Sequence, residues 1–446
     1  MKKIFCLACF LVCMSIQMLA QGIAFQKKSF ENALSAAKAQ HKLVFVDFYT
    51  DWCGPCKSLA KNVFPKQEVG DFFNKHFISL KLNAEKEGQA YARKYKVSAY
   101  PTLLFLNGDG EVMLKHVGGS NEEGLLQKAA EAVNSENNPN NLANLLKRYE
   151  TEKKNEKFLL TYIQVLHEND ESVSEAIEEF LKIQKGIPEP SSKMMEFLLK
   201  YRNETLVGGE AERIIIENEK EYMDIATKSE ARDVADLHFR MFKNSRERAV
   251  KTNNAELFKK FLDAWKQYPT KHRSFENETA YELDLLRMQN NLKEFRTQTI
   301  AFLDDMIVRQ PVAEVQQKDR IHYEDFCKKN PAVGGLADII RNSNKDLIAG
   351  INERFILKYA TYMLSLAKKS DFKHYEKWMD YAKQLVPTDP LIDNLRSNML
   401  YKKGDKKAAI ALKEKLIEQE GPQGRHVNHF KKELKKMQDG TLFRKK

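Results

Sequence analysis

A short apolar run, Leu43-Val44-Phe45-Val46-Asp47-Phe48-Tyr49, ends four residues before the pair Cys53-Gly54-Pro55-Cys56, and no other part of the chain restricts the fold as much. The run is rich in β-branched and aromatic residues and nearly continuous, the pattern of a central strand buried on both faces. A helix that begins directly after such a strand places Cys53 at its N-terminus. There the partial positive charge and free N–H groups lower a thiol's pKa. Gly54-Pro55 suits a tight first turn, because proline is tolerated there. Cys56 then sits one turn along, within disulfide reach of Cys53. Disulfide exchange needs an accessible thiolate near ambient pH, and this arrangement can supply one. On the residues alone, an inert structural disulfide and half of a zinc site stay open beside a redox pair. Zinc needs four ligands, and no second CxxC or nearby HxxxH completes a set, so neither a metal nor a cofactor is expected.

The flanking sequence alternates strand and helix patterns. Phe30 to Gln40 reads as a helix, Lys57 to Phe64 as the continuation after the cysteines, Phe77 to Leu82 as a second strand and Glu87 to Tyr95 as a helix. Thr102 to Leu106 is a third strand, Asn107-Gly108-Asp109-Gly110 a hairpin turn, Glu111 to His116 the returning strand and Asn121 to Val133 a closing helix. Together these make an α/β layer sandwich over residues 22–133. Residues 134–141 are polar, carry Pro139 and lack an apolar period, which marks a linker. Residues 142–446 read as helices nearly throughout, with breaks at Gly186 to Pro190, Val207-Gly208-Gly209, Pro269, Pro311 and Pro331 to Gly335. Paired helices with short turns predict an α-solenoid or an irregular helical bundle. Lys369-Ser370-Asp371 and Lys403-Gly404-Asp405 lie 34 residues apart. With Ala382, Pro387, Tyr401 and Ala408, they make residues 355–420 resemble tetratricopeptide units.

Lys2 and Lys3 followed by the apolar stretch Ile4 to Ala20 read as a signal peptide, with cleavage after Ala20. The stretch is short for a spanning anchor. Cys9 comes too early for a lipid-modified cysteine, and Cys13 follows Val12. With residues 1–20 removed, Cys53, Cys56 and Cys327 remain: one pair and an odd thiol, read as a buried small apolar residue. A charged fraction of 30% favours a soluble protein; a net charge of +11 would favour acidic partners, but the Lys and Arg are spread among many Asp and Glu and read mostly as solvated helix faces. No base-reading motif accompanies that charge, so nucleic acid is not an expected partner.

The stretch Trp52-Cys53-Gly54-Pro55-Cys56-Lys57 resembles the thioredoxin active site without a mismatch. The resemblance implies a thioredoxin fold over residues 22–133, with Cys53 as attacking thiol and Cys56 as resolving thiol. It implies that Asp47 is the family's buried acid, which helps move the proton of Cys56, and that Lys81 is the lysine paired with it. It implies that Pro101 is a cis-proline turning the backbone of Tyr100 toward substrate, and that Gly118 is a late glycine near the substrate groove. Trp52, Gly54 and Pro55 complete the implied substrate-binding set. Two departures stand out: Lys61 occupies the place of the usual helix-kinking proline, and Lys66 to Lys75 is an added segment. Both bring the sequence closer to exported domains related to periplasmic disulfide-interchange reductases. The expected function is therefore an exported, periplasmic thiol-disulfide oxidoreductase that reduces or isomerises protein disulfides and is recharged by an upstream thiol donor. In the alternative reading, the helical region recognises a protein partner as a scaffold and the redox domain is secondary.

Overall fold

The computed structural model describes residues 22–267, 278–331 and 334–443. The signal-like residues 1–20, the break at Pro269 and the basic end Arg444-Lys445-Lys446 lie outside them. An α/β sandwich is followed by a mostly helical region, and the described chain divides into two compact units, one running to Ser245 and the other starting at Arg246.

The sandwich contains α1 (Phe30–Gln40), β1 (Leu43–Tyr49), α2 (Gly54–Asn62), α3 (Gln67–His76), β2 (Phe77–Asn83), α4 (Gln89–Lys94), β3 (Thr102–Leu106), β4 (Val112–Val117) and α5 (Glu122–Ser135). The strand order is β2-β1-β3-β4. β1 runs parallel to β2 and antiparallel to β3, and the Asn107–Gly110 turn folds β4 back antiparallel on β3. Successive side chains of a strand point to opposite faces, so β1 feeds two cores. Leu43 and Phe45 join Leu59 of α2, Val69 and Phe73 of α3 and Leu125 of α5. Val44, Val46 and Phe48 join Phe30 and Ala33 of α1 and Ala92 of α4. That two-sided burial is the reason the run carries almost no polar residue. Asp47 shares the face of Leu43 and Phe45, the face covered by α2.

α2 ends at Asn62, and the added segment forms α3, whose Phe73 packs on Phe45 with ring centroids 4.8 Å apart. Upstream of α1, Phe25 pairs with Ser79 on the outer side of β2.

Residues 136–141 form a compact polar turn. Asn141 caps α6 (Leu142–Glu152), and its amide also donates to the Ser135 carbonyl. α7 (Glu156–Glu168) and α8 (Ser174–Ile183) follow in the same unit as the sheet.

Every element among the second unit's described residues is a helix. Its core holds Tyr359, Tyr375 and Trp378 with no exposed surface, and the two tyrosine hydroxyls donate to the carbonyls of Ala280 and Ala360. Successive helices pack in chain order through Leu347–Leu364, Phe372–Leu385, Pro390–Lys403 and Lys406–Glu420, and Gly404 ends the third of these at φ +109°. Cys327 is half-buried rather than buried. It lies near the end of the helix Val312–Lys329, whose buried residues Val315 and Asp319 sit earlier in the helix.

Candidate functional site

The site forms where β1 meets α2. Cys53 is the N-cap of α2, and its sulfur accepts the Cys56 backbone N–H at 3.1 Å. Pro55 occupies the first turn, where its missing N–H leaves no partner unsatisfied. Cys53 and Cys56 are joined as a disulfide, with Cα atoms 5.3 Å apart. Both residues are buried in this state, so exposure does not distinguish them. Their positions do: only the Cys53 sulfur sits at the helix N-terminus as an acceptor, where a thiolate is stabilised by the helix dipole and an N–H group.

Asp47, on the β1 face that α2 covers, has no exposed surface, and neither carboxylate oxygen has a hydrogen-bond partner among the described residues. The Lys81 ammonium stands 3.5 Å from Oδ2, and the parallel β1–β2 register sets Asp47 opposite Lys81. Burial raises the Asp47 pKa from 3.8 to about 6 against the opposing pull of Lys81. Lys81 itself is cupped by the Tyr49, Phe64 and Phe25 rings at 4.9, 5.6 and 6.0 Å from their centroids. It also lines a pocket of about 470 Å³ between the entering chain at Gly22–Phe25 and Phe64-Pro65. Replacing Lys81 by Met removes the one opposing charge and leaves the desolvation. The Asp47 carboxyl should then become a roughly tenfold weaker acid, read as a higher midpoint in its NMR titration.

The Tyr100-Pro101 peptide bond is cis. The Thr102 hydroxyl donates to the Ala99 carbonyl at 2.8 Å, and the Gly118 N–H donates to the Pro101 carbonyl at 2.8 Å. Gly118 has φ +109°, a backbone region that strains any residue with a Cβ. The next residue, Gly119, lies beside Pro55, whose Cβ would be 3.7 Å from a Cβ placed at 119. The folded chain thus joins the Cys53 turn and the Gly118 turn at one corner, although 65 residues separate them in sequence. Trp52 is 66% exposed, and its ring meets Tyr100 edge-on at 5.8 Å. Its indole N–H donates to both Glu85 oxygens at 3.1 Å.

Glu85 is the site residue the sequence did not announce. It lies in the loop after β2, a turn in which the Asn83 side chain accepts the Glu85 N–H. The loop between the second strand and the helix that follows carries no pattern that points toward Trp52. Among the described residues no cluster of His, Cys, Asp and Glu could hold a metal ion.

Known proteins resemble the sandwich region of the chain. The sequence profile of the family described as "Thioredoxin-like domain" matches residues 30–133. A thioredoxin of Echinococcus granulosus is 43% identical over 94 residues, which are 21% of this chain and 81% of that protein. The thiol:disulfide interchange protein DsbD of Pseudoalteromonas atlantica is 34% identical over 110 residues, 24% of this chain but only 18% of that protein. A solution structure of a candidate disulphide-isomerase from Bacteroides thetaiotaomicron is 50% identical and covers 26% of this chain and 98% of its own, with a TM-score of 0.25. Through residues 30–133, the chain belongs to the thioredoxin family of thiol-disulfide oxidoreductases.

Proposed function

We propose that the protein is an exported oxidoreductase that reduces or isomerises disulfides in protein substrates through Cys53 and Cys56. The observation that carries this reading is the disulfide at the N-terminus of α2, the helix that covers the strand face bearing a buried carboxyl with a pKa of about 6. In the reduced protein, the Cys53 thiolate attacks one sulfur of a substrate disulfide. A Cys53–substrate disulfide forms, the substrate S–S bond breaks, and the released substrate thiolate takes a proton. Cys56 then gives its proton to Asp47 and attacks the Cys53 sulfur, which expels the second substrate thiolate. Two electrons pass to the substrate, and the Cys53–Cys56 disulfide remains. An upstream thiol donor returns those electrons.

Each further residue has a part in this reading. Lys81 holds the Asp47 charge within reach of neutrality. Trp52 and Tyr100 form the aromatic wall of the substrate groove, with Gly54, Pro55, Pro101 and Gly118 as its backbone floor. The helical region from 142 onward carries partner recognition. Export rests on Lys2, Lys3 and the apolar stretch Ile4 to Ala20. Among the described residues no helix is long and apolar enough to cross a membrane.

The reduction potential of the pair tests this reading. A value near about −270 mV supports a reductase, whereas one near about −120 mV reverses the electron flow. A pair that never exchanges with thiols removes the catalytic reading altogether.

A further inference from the structure

β4 is the last strand of the sheet, so the N–H groups facing away from β3 have no strand to pair with. Gly118 donates to β3's side, at Pro101. Because direction alternates along a strand, Lys115 and Val117 donate outward. Both outward groups are taken by side chains of one short loop between α7 and α8. The Lys115 N–H donates to Asn169 Oδ1 at 2.9 Å, and the Val117 N–H donates to Asp170 Oδ2 at 2.9 Å. The buried Lys115 ammonium also pairs with Glu171 at 2.8 Å. Asp170 adopts φ +53°, a left-handed conformation that Asp and Asn tolerate better than most residues. Three consecutive side chains thus clamp the strand that leads directly into Gly118, and all three lie beyond the residues 30–133 of the family match.

We infer that Asp170 is a positioning residue for substrate binding. It holds the Val117–Gly118 backbone, and with it the Gly118-to-Pro101 hydrogen bond, in the geometry a substrate chain must meet. The Asp170 side-chain oxygen satisfies an N–H that the sheet edge leaves without a strand and so ties the loop to the β4 backbone. In this reading Gly118 and Pro101 meet the bound substrate chain and not the exchanging sulfurs, so displacing them costs binding rather than the chemical step. This inference rests on the oxidoreductase reading and on the substrate groove assigned above. It gives the helical region a direct role in the redox domain, which the sandwich alone lacks.

The test compares Asp170→Gly with Asp170→Asn. Glycine keeps the left-handed backbone without strain and removes the acceptor, while Asn keeps both. Two probes are offered to protein that has been reduced and freed of reductant, with KM and kcat read from the concentration dependence of the single-turnover rate: a peptide disulfide, which needs the groove, and 5,5′-dithiobis(2-nitrobenzoate), which has no peptide backbone. Asp170→Gly should raise KM for the peptide disulfide roughly 3- to 10-fold, about the worth of one net hydrogen bond. Its kcat, its reduction potential and its rate with the small disulfide should stay at wild-type values, and Asp170→Asn should restore KM to within about twofold. A wild-type KM in Asp170→Gly overturns the assignment, and so does an equal loss with both probes, which would mark a general loosening of the fold. If Asp170→Gly does not fold, Asn169→Ala decides in its place by the same KM pattern. A wild-type protein that reduces neither probe overturns the oxidoreductase reading itself, a result separate from any behaviour of the variants.

Discussion

Replacing Cys53 by Ser is expected to lower disulfide exchange by a factor of about 10³ or more, as loss of a nucleophile that acts as part of a unit does elsewhere. The physical reason is local. The Cys53 sulfur sits at the N-terminus of α2 and accepts the Cys56 N–H, an environment that stabilises a thiolate. A serine hydroxyl in the same place stays protonated at neutral pH and cannot open a disulfide. Cys56→Ser should fail differently. The first attack proceeds, but no thiol remains to release the substrate, so the mixed disulfide accumulates. Mass spectrometry of the non-reduced protein after incubation with a peptide disulfide separates the two cases. An adduct on Cys56→Ser and none on Cys53→Ser is the expected result. The opposite pattern would exchange the two roles, and adducts on both would remove the distinction between them.

The second large effect concerns pH and comes from Asp47. Its pKa of about 6 in the folded, disulfide-bonded protein lies above its ordinary 3.8, because burial without hydrogen bonds disfavours the charge more than Lys81 favours it. Between pH 3.8 and about 6 the unfolded chain releases this proton while the folded protein keeps it. The unfolded state then binds fewer protons, so this group's contribution to stability falls as pH rises through that window and is constant above it. A difference of about two pH units corresponds to about 3 kcal/mol. Asp47→Asn removes the ionisation, so at pH 8 the oxidised variant should be more stable than the wild type by about 1–3 kcal/mol, with little difference near pH 3.5. Urea unfolding at the two pH values reads this directly. Exchange activity should move the other way. In the wild type it rises with pH through about 6 as Asp47 becomes able to accept the Cys56 proton. In Asp47→Asn that rise should be absent and exchange slower by about 10²-fold, a typical contribution of a positioned general base. A variant that is both less stable at pH 8 and fully active would show that Asp47 is neither a stored charge nor a proton acceptor.

Much of the sandwich was legible because its signals are local. The run at 43–49 reads as a central strand, and it forms β1 over those residues. The Asn107–Gly110 turn and the helix Phe30–Gln40 were equally plain. Boundaries moved where caps decide them: α2 starts at Gly54 because Cys53 caps it, and α3 takes up the added segment because Val69 and Phe73 find a core. Cys327 was misjudged because a cysteine's burial depends on which face of its helix meets a neighbour, and one helix's sequence does not say which.

By itself, the sequence determined the chemistry that is contiguous along the chain: a cysteine pair set where a buried strand gives way to a helix, with Trp52 before it and proline in the first turn. Spacing and periodicity act over a few residues, so these follow from the chain alone. Only the tertiary structure decided what Asp47 experiences, because desolvation and the 3.5 Å approach of Lys81 depend on the register between two strands. Only it brought Glu85 to Trp52, and only it laid Asn169, Asp170 and Glu171 along the open edge of β4. Those contacts join residues tens of positions apart, and no local pattern encodes a partner that packing alone delivers.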